Sequence, residues 1–276
     1  MTTSRPRGRE PLSDRLAGSM PRVVAALHEL ASELDLDSDE LMATLAFLGE
    51  VGRADEFILL SDILGLSRLV DDATHRGLAG TSSNVHGPFY RPGAPQIPNP
   101  GSIASSWSAG EPIVIGGRVN DAVDGSPIAG ATLDIWQADG DGRYSTEDDL
   151  PAPWNLRGRQ STSDDGSYQI ATVRPKHYTI KDDGPVGQLL AALGRHPWRP
   201  AHIHMLVTGP GHRSLVTQVY VAGGPYLDDD AIAGVKQELV APVVDGRIAV
   251  DIELAREPPG DGADRHAPHW SVIIDG

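Results

Sequence analysis

Between Pro11 and Leu34, apolar residues recur at Leu16, Met20, Val23, Val24, Leu27 and Leu30, close to the period of a helix with one apolar face. Ser38-Asp39-Glu40 reads as the start of a second helix that runs through Leu41, Leu45 and Leu48. The segment from Glu56 to Val70 is apolar on more than one face, which predicts burial against the rest of the chain or a second copy. From Glu111 onward the pattern becomes short apolar strands: Pro112 to Val119, Ala131 to Gln137, Gly166 to Thr172, Ala201 to Thr208, Leu215 to Val221 and Arg247 to Leu254. The turn pairs Asp124-Gly125, Asp165-Gly166 and Asp245-Gly246 punctuate them, at spacings typical of a β-sandwich. Asp139-Gly140-Asp141-Gly142 lacks the later ligands of a calcium loop and reads as a solvated turn. Gly184 to Gly194 reads as a short helix inserted before the strand at Ala201.

Composition divides the chain in the same way. Up to about Thr81 it is rich in Leu, Ala, Glu and Asp, and beyond that in Gly, Pro, Val and Thr. The expectation is a helical region over 1–80 and a mainly β domain, an antiparallel sandwich, over 81–276. At 276 residues the chain can bury a substantial core. A net charge of −15 excludes a nucleic-acid partner, because a phosphate backbone demands a positive face. With no cysteine, any metal must be hard or borderline and held by nitrogen and oxygen. The arginines before Glu10 have no apolar stretch behind them, and nowhere is there an uninterrupted run of about 18 apolar residues, so no membrane span and a cytoplasmic location are expected.

His202 and His204 lie one residue apart on the strand beginning at Ala201, so both imidazoles share one face. Arg195, His196 and Arg199 precede them, and cationic neighbours keep imidazoles neutral and able to coordinate, which favours a metal site. Phenol oxygen is the remaining hard donor. By pattern alone Tyr144 and Tyr178 are packed aromatics with hydrogen-bonded hydroxyls.

The stretches Val85-His86-Gly87-Pro88-Phe89-Tyr90, Leu133-Asp134-Ile135-Trp136-Gln137, Gly142-Arg143-Tyr144-Ser145, Asn155-Leu156-Arg157-Gly158-Arg159 and Asp183-Gly184-Pro185 through His204 resemble the intradiol ring-cleavage dioxygenases, from about Asp35 to Leu254. The resemblance implies a mononuclear non-haem Fe(III) held by Tyr144, Tyr178, His202 and His204, with Tyr178 the ligand displaced when a dihydroxybenzene binds as a dianion. It also implies that Arg199 and Gln218 stabilise negative charge on the substrate. Pocket walls are implied at Leu59 and Asp62, at Val85, Gly87, Pro88 and Phe89, at Ile180, and at Ile232 near the start of a last helix. The reaction implied is O2-dependent cleavage between the two hydroxylated carbons.

Hydroxyquinol-cleaving members resemble this chain in having an acid at the position of Asp62 and a Gly-Pro-Phe loop, so hydroxyquinol, opened to 3-hydroxy-cis,cis-muconate or maleylacetate, is placed ahead of catechol or a substituted catechol. An acid there can accept a hydrogen bond from a third ring hydroxyl. Two positions depart from the family pattern. Lys181 stands where many relatives carry proline, and His86 replaces an apolar residue. The resemblance further implies a homodimer formed by the helical region and a phospholipid at its interface.

Two other classes compete. Gly125-Ser126-Pro127-Ile128-Ala129-Gly130-Ala131 followed by Asp165-Gly166-Ser167-Tyr168 is also the turn pattern of non-catalytic prealbumin-like binding modules. Two histidines with Asp134 or Asp164 would instead make a facial-triad Fe(II) oxygenase or a zinc hydrolase.

Overall fold

The structure, a computed structural model, describes residues 14–106, 108–145 and 153–258. The chain divides into two compact units between Arg53 and Ala54. The first unit contains α1 (Asp14–Glu33), which carries Pro21 within it, and α2 (Ser38–Arg53). The expected helix start at Pro11 lies outside the described residues. Asp37 begins α2 with a capping box: its Oδ1 accepts the Glu40 N–H at 2.8 Å, and Glu40 Oε2 accepts the Asp37 N–H at 3.0 Å. In the single chain the apolar stripe of α1 is exposed, with Leu27 at 59% and Leu30 at 50%.

In the second unit the segment read as one apolar stretch forms two helices, α3 (Phe57–Ile63) and α4 (Leu66–Thr74). The break falls at Gly65, whose φ of 71° lies in the left-handed region that glycine tolerates. Leu60, Asp62 and Ile63 are buried, whereas Leu64, Leu69 and Val70 are exposed in the single chain, so only one face of the segment is covered. Polar ties fasten these helices to the β body and explain the boundary at Arg53. Arg68 donates to the carbonyl of Ala233 at 2.7 Å, Arg195 to that of Ile63 at 2.7 Å, and Lys236 pairs with Asp71 and Asp72.

The remaining elements are β1 (Gly101–Ser102), β2 (Pro112–Asp121), β3 (Thr132–Gln137), β4 (Arg157–Ser161), β5 (Ser167–Val173), β6 (Tyr178–Thr179), α5 (Pro185–Ala192), β7 (Trp198–Arg199), β8 (His202–Thr208), β9 (Leu215–Val221), β10 (Val240–Ala241), β11 (Arg247–Ala249) and β12 (Ile252–Leu254). One five-stranded sheet runs β1-β5-β2-β11 with β12 also on β2, a second runs β10-β9-β8-β3-β4, and β6 pairs with β7 in a two-stranded ribbon. The sheets are mixed, which corrects the expected antiparallel arrangement. The long central pairs are antiparallel, but β1, β10, β11 and β12 join their neighbours in parallel. Parallel edges cost little here because each is only two or three residues long.

Both large sheets feed one hydrophobic cluster: Ile113, Ile115, Val119, Tyr168 and Ile170 from one, and Leu133, Ile135, Ile203, Met205, Val207 and Val219 from the other. The alternation of β3 and β8 sends the intervening residues to the opposite face. There Trp136 and Leu206 pack with Tyr144, Tyr178, Phe89 and Tyr90 in a second cluster. The candidate histidines therefore stand on the face turned away from the shared core.

Candidate active site

Register places the site on that face. On β8, His204 is flanked by Trp136 of β3 and Gln218 of β9, and His202 lies opposite Tyr220 of β9. Trp136 lies flat on His204, with ring centroids 4.8 Å apart and 7° between the planes. His202 donates its Nδ1–H to the Pro200 carbonyl at 2.7 Å, which leaves a lone pair on Nε2. That atom is 3.0 Å from His204 Nε2 and 3.5 Å from the Tyr178 hydroxyl. Burial, reinforced by Arg199, pushes both imidazoles well below the usual histidine range and keeps them neutral.

Tyr178 comes from the β6–β7 ribbon, directly opposite Arg199. Tyr144 follows a turn that is solvated as expected at Asp141 and Arg143, and that Asp139, itself buried, holds from within by accepting their N–H groups at 2.8 and 3.0 Å. The Tyr144 ring stacks on Phe89 at 4.2 Å and meets Tyr178 edge-on at 5.3 Å. Burial raises both phenols, Tyr144 furthest. All four expected ligand residues converge.

Arg199 is 2% exposed and every edge of its guanidinium is engaged. Nε and Nη2 donate to Asp230 at 3.1 and 3.2 Å, Nη2 also to Gln218 Oε1 at 3.1 Å and to the Tyr220 hydroxyl at 3.3 Å, and Nη1 to His202 Nε2 at 3.2 Å. Burial opposes its charge, but Asp230 more than offsets that, so it stays charged. The Gln218 amide is spent within the protein, since its Nε2 donates to the Val85 carbonyl at 2.7 Å and its Oε1 also accepts from the Tyr220 hydroxyl at 2.7 Å.

Of the cationic residues expected near the histidines, only Arg199 is there. Arg195 donates to the carbonyls of Ile63 and Ala231, and His196 pairs with Asp229 near the surface, because the turn before β7 swings both away from β8.

A cavity of about 740 Å³ opens against Tyr178 and Arg199. Leu59, Asp62, Val85, Gly87, Pro88, Phe89, Ile180 and Ile232 line it, as do His86 and Lys181. Gly87 has a φ of 74°, and a Cβ on it would lie 3.2 Å from His204 Cε1, so glycine serves both backbone and site. Ile232 begins no helix. It sits in a turn whose N–H groups, at Ile232 and Gly234, are taken by Asp230. Asp62 is 5% exposed and its carboxyl is raised by burial, an effect partly countered by Ser67 and Arg199. Lys181 pairs with buried Glu56 at 3.1 Å at the cavity wall.

Asp230, Tyr220 and Trp136 were not singled out from the sequence. Tyr220 and Trp136 carried a signal, since each shares a strand face or register with a candidate residue. Asp230, within Asp228-Asp229-Asp230, reads as one more solvated acid. Among the described residues no group of three or more His, Cys, Asp and Glu is arranged to hold a metal ion, so nothing in the fold favours the facial-triad alternative. Asp134 accepts a hydrogen bond from Tyr90 at 3.1 Å, and Asp164 is exposed.

Comparison with known proteins agrees with this geometry. Residues 85–255 match the family model described as Dioxygenase, and residues 13–81 match Catechol dioxygenase N terminus. A hydroxyquinol 1,2-dioxygenase from Rhizobium sp. (strain MTP-10005) is 44% identical over 82% of this chain and 79% of its own length. A 6-chlorohydroxyquinol 1,2-dioxygenase from Cupriavidus pinatubonensis is 40% identical over 87% of this chain and 89% of its own. The solved hydroxyquinol 1,2-dioxygenase of Pseudomonas putida DLL-E4 superposes with a TM-score of 0.82 at 36% identity, covering 91% of this chain and 94% of that one. The chain belongs to the intradiol ring-cleavage dioxygenase family. It is thus an oxidoreductase of a family that uses non-haem iron, and the binding-module alternative is set aside.

Proposed function

We propose that this chain is an intradiol dioxygenase that cleaves hydroxyquinol in preference to catechol, with Tyr144, Tyr178, His202 and His204 holding Fe(III). The supporting observation is the His202 Nε2 lone pair, buried and 3.0 Å from His204 Nε2 and 3.5 Å from the Tyr178 hydroxyl. Two neutral imidazole lone pairs repel at that separation unless a proton or a cation lies between them, and buried phenols add hard oxygen donors, so the donor set fits a ferric ion. Such an ion would supply the Lewis-acid and redox chemistry that lets a bound catecholate react with O2.

The protein's own groups do the rest. Of the four residues that would hold the ion, Tyr178 is the one on the cavity wall, so its phenol oxygen is the one an incoming diol would meet and the one placed to take up a substrate proton. Arg199, fixed by Asp230, faces the same point with a permanent charge that stabilises anionic substrate and product oxygens. Gln218 acts through Arg199, holding its Nη2. Apolar Leu59, Val85, Ile180 and Ile232 exclude water and sandwich the ring. Asp62, buried on α3, is the partner for a third hydroxyl.

The two sheets are read as a β-sandwich, with the helical region preceding it forming a homodimer through the exposed stripe of α1. A phospholipid at that interface and a cytoplasmic location belong to the same proposal. Oxygen uptake and muconate formation with hydroxyquinol and catechol in parallel test the function. Specificity constants favouring hydroxyquinol are expected. Iron-loaded protein that consumes no oxygen with either diol would overturn the reading.

A further inference from the structure

Four buried side-chain nitrogens around His204 have no hydrogen-bond partner: His86 Nε2, Trp136 Nε1, Arg157 Nη2 and His204 Nδ1. Their side chains are neighbours. The His86 ring lies 4.4 Å from Tyr90 and 5.3 Å from Trp136, Trp136 stacks on His204 at 4.8 Å, and Arg157 is the cross-strand partner of Trp136. Gly87, next to His86, runs beside the His204 ring, since a Cβ on it would lie 3.2 Å from His204 Cε1. A buried polar atom left unpaired costs about 1–3 kcal/mol, so unpaired atoms gathered in one place mark a built site.

The protons can be assigned. His86 Nδ1 faces the Gly87 carbonyl at 3.3 Å and so carries its hydrogen, which leaves His86 Nε2 as a bare acceptor. With an ion held between His202 Nε2 and His204 Nε2, the hydrogen of His204 sits on Nδ1, a donor that no protein group meets. Trp136 Nε1–H is a second donor in the same cluster.

We propose that His86 is a positioning residue for His204: His86 Nε2 accepts, through one buried water, the hydrogen bond that fixes the outer ring nitrogen of His204, with the Trp136 indole N–H as the second donor to that water. A bridging water needs two to four polar partners, and this cluster supplies them. The inference rests on the reading of His204 as an iron ligand. Fixing the outer nitrogen of such a ligand sets its tautomer and raises its basicity, and removing that partner typically weakens metal binding by about 10–100-fold.

The test uses full-length, iron-loaded wild type, His86→Phe, His86→Leu and His86→Gln, each dialysed against a graded chelator series with retained iron measured by metal analysis. The apo forms are melted in parallel. His86→Phe and His86→Leu should lose iron at roughly tenfold lower chelator concentration. His86→Gln, whose amide oxygen restores an acceptor, should recover most of that loss, and the apo forms with apolar side chains should melt no lower than wild type. Equal iron retention in the apolar variants, or a His86→Gln no better than His86→Phe, would overturn the proposal while leaving the function intact. Wild type that takes up no iron would overturn both.

Discussion

Asp230→Asn is the substitution whose cost the structure defines best. Asp230 and Arg199 have side chains only 1% and 3% exposed, and the carboxylate accepts four N–H groups, from Arg199 Nε and Nη2, Ile232 and Gly234. Asparagine keeps the shape but removes the charge, and whichever way its amide turns, an NH2 faces two donors. Opposite charges about 4 Å apart at an effective dielectric of about 20 attract by about 4 kcal/mol. That agrees with the roughly 3–5 kcal/mol lost when one partner of a buried pair is removed. Urea denaturation followed by tryptophan fluorescence should show that loss, and kcat/KM should fall because Arg199 no longer holds its orientation. Replacing both residues with leucine should recover most of the stability but none of the activity. A single variant within about 1 kcal/mol of wild type would refute the view that Asp230 anchors Arg199.

Asp62→Leu should lower the hydroxyquinol-to-catechol ratio of kcat/KM by about tenfold or more, since a lost hydrogen bond to a third hydroxyl is worth about 1–3 kcal/mol; an unchanged ratio counts against Asp62 as the selector. Gly87→Ala should cost about 1–2 kcal/mol from its left-handed backbone alone and should also weaken iron retention by crowding His204, both readable by thermal melting and metal analysis. Burial lifts the Asp134 carboxyl to about 6, above its value in the unfolded chain, so the folded state holds the proton longer and this group's contribution to stability falls as pH rises through that window. The stability of Asp134→Asn relative to wild type should therefore improve by about 2 kcal/mol from pH 4.5 to pH 7.5 in urea titrations, and a pH-independent difference would contradict the assignment.

The sequence carried the site's first rank but not its support. His202 and His204 announce themselves because a strand's period of two puts them on one face, and Tyr144 and Tyr178 became candidates only through the surrounding motifs. Asp230 was invisible: its neighbours Asp228 and Asp229 make an acidic run, and only the fold shows that one of the three turns inward to meet Arg199. The apolar strands were legible, whereas β4, with Arg157, Arg159 and Gln160, hides its role because these side chains reach loop carbonyls of Phe89, Ala94 and Pro98. Hydrophobic pattern likewise does not report strand direction, so the parallel edge strands were missed. Nor did it show that Gly65 splits the segment from Glu56 to Val70 into two helices. His86, which departs from the family pattern, is 7% exposed and both lines the cavity and sits against Trp136.

The central claim is that Tyr144, Tyr178, His202 and His204 hold a ferric ion at the end of the cavity. The most direct test is the visible spectrum of the iron-loaded protein, recorded before and after anaerobic addition of hydroxyquinol, with Tyr178→Phe alongside. The account predicts a red-brown tyrosinate-to-iron band that shifts when the diol binds and is altered in Tyr178→Phe. A protein with one equivalent of iron but no such band, or a band indifferent to both diol and substitution, would contradict it.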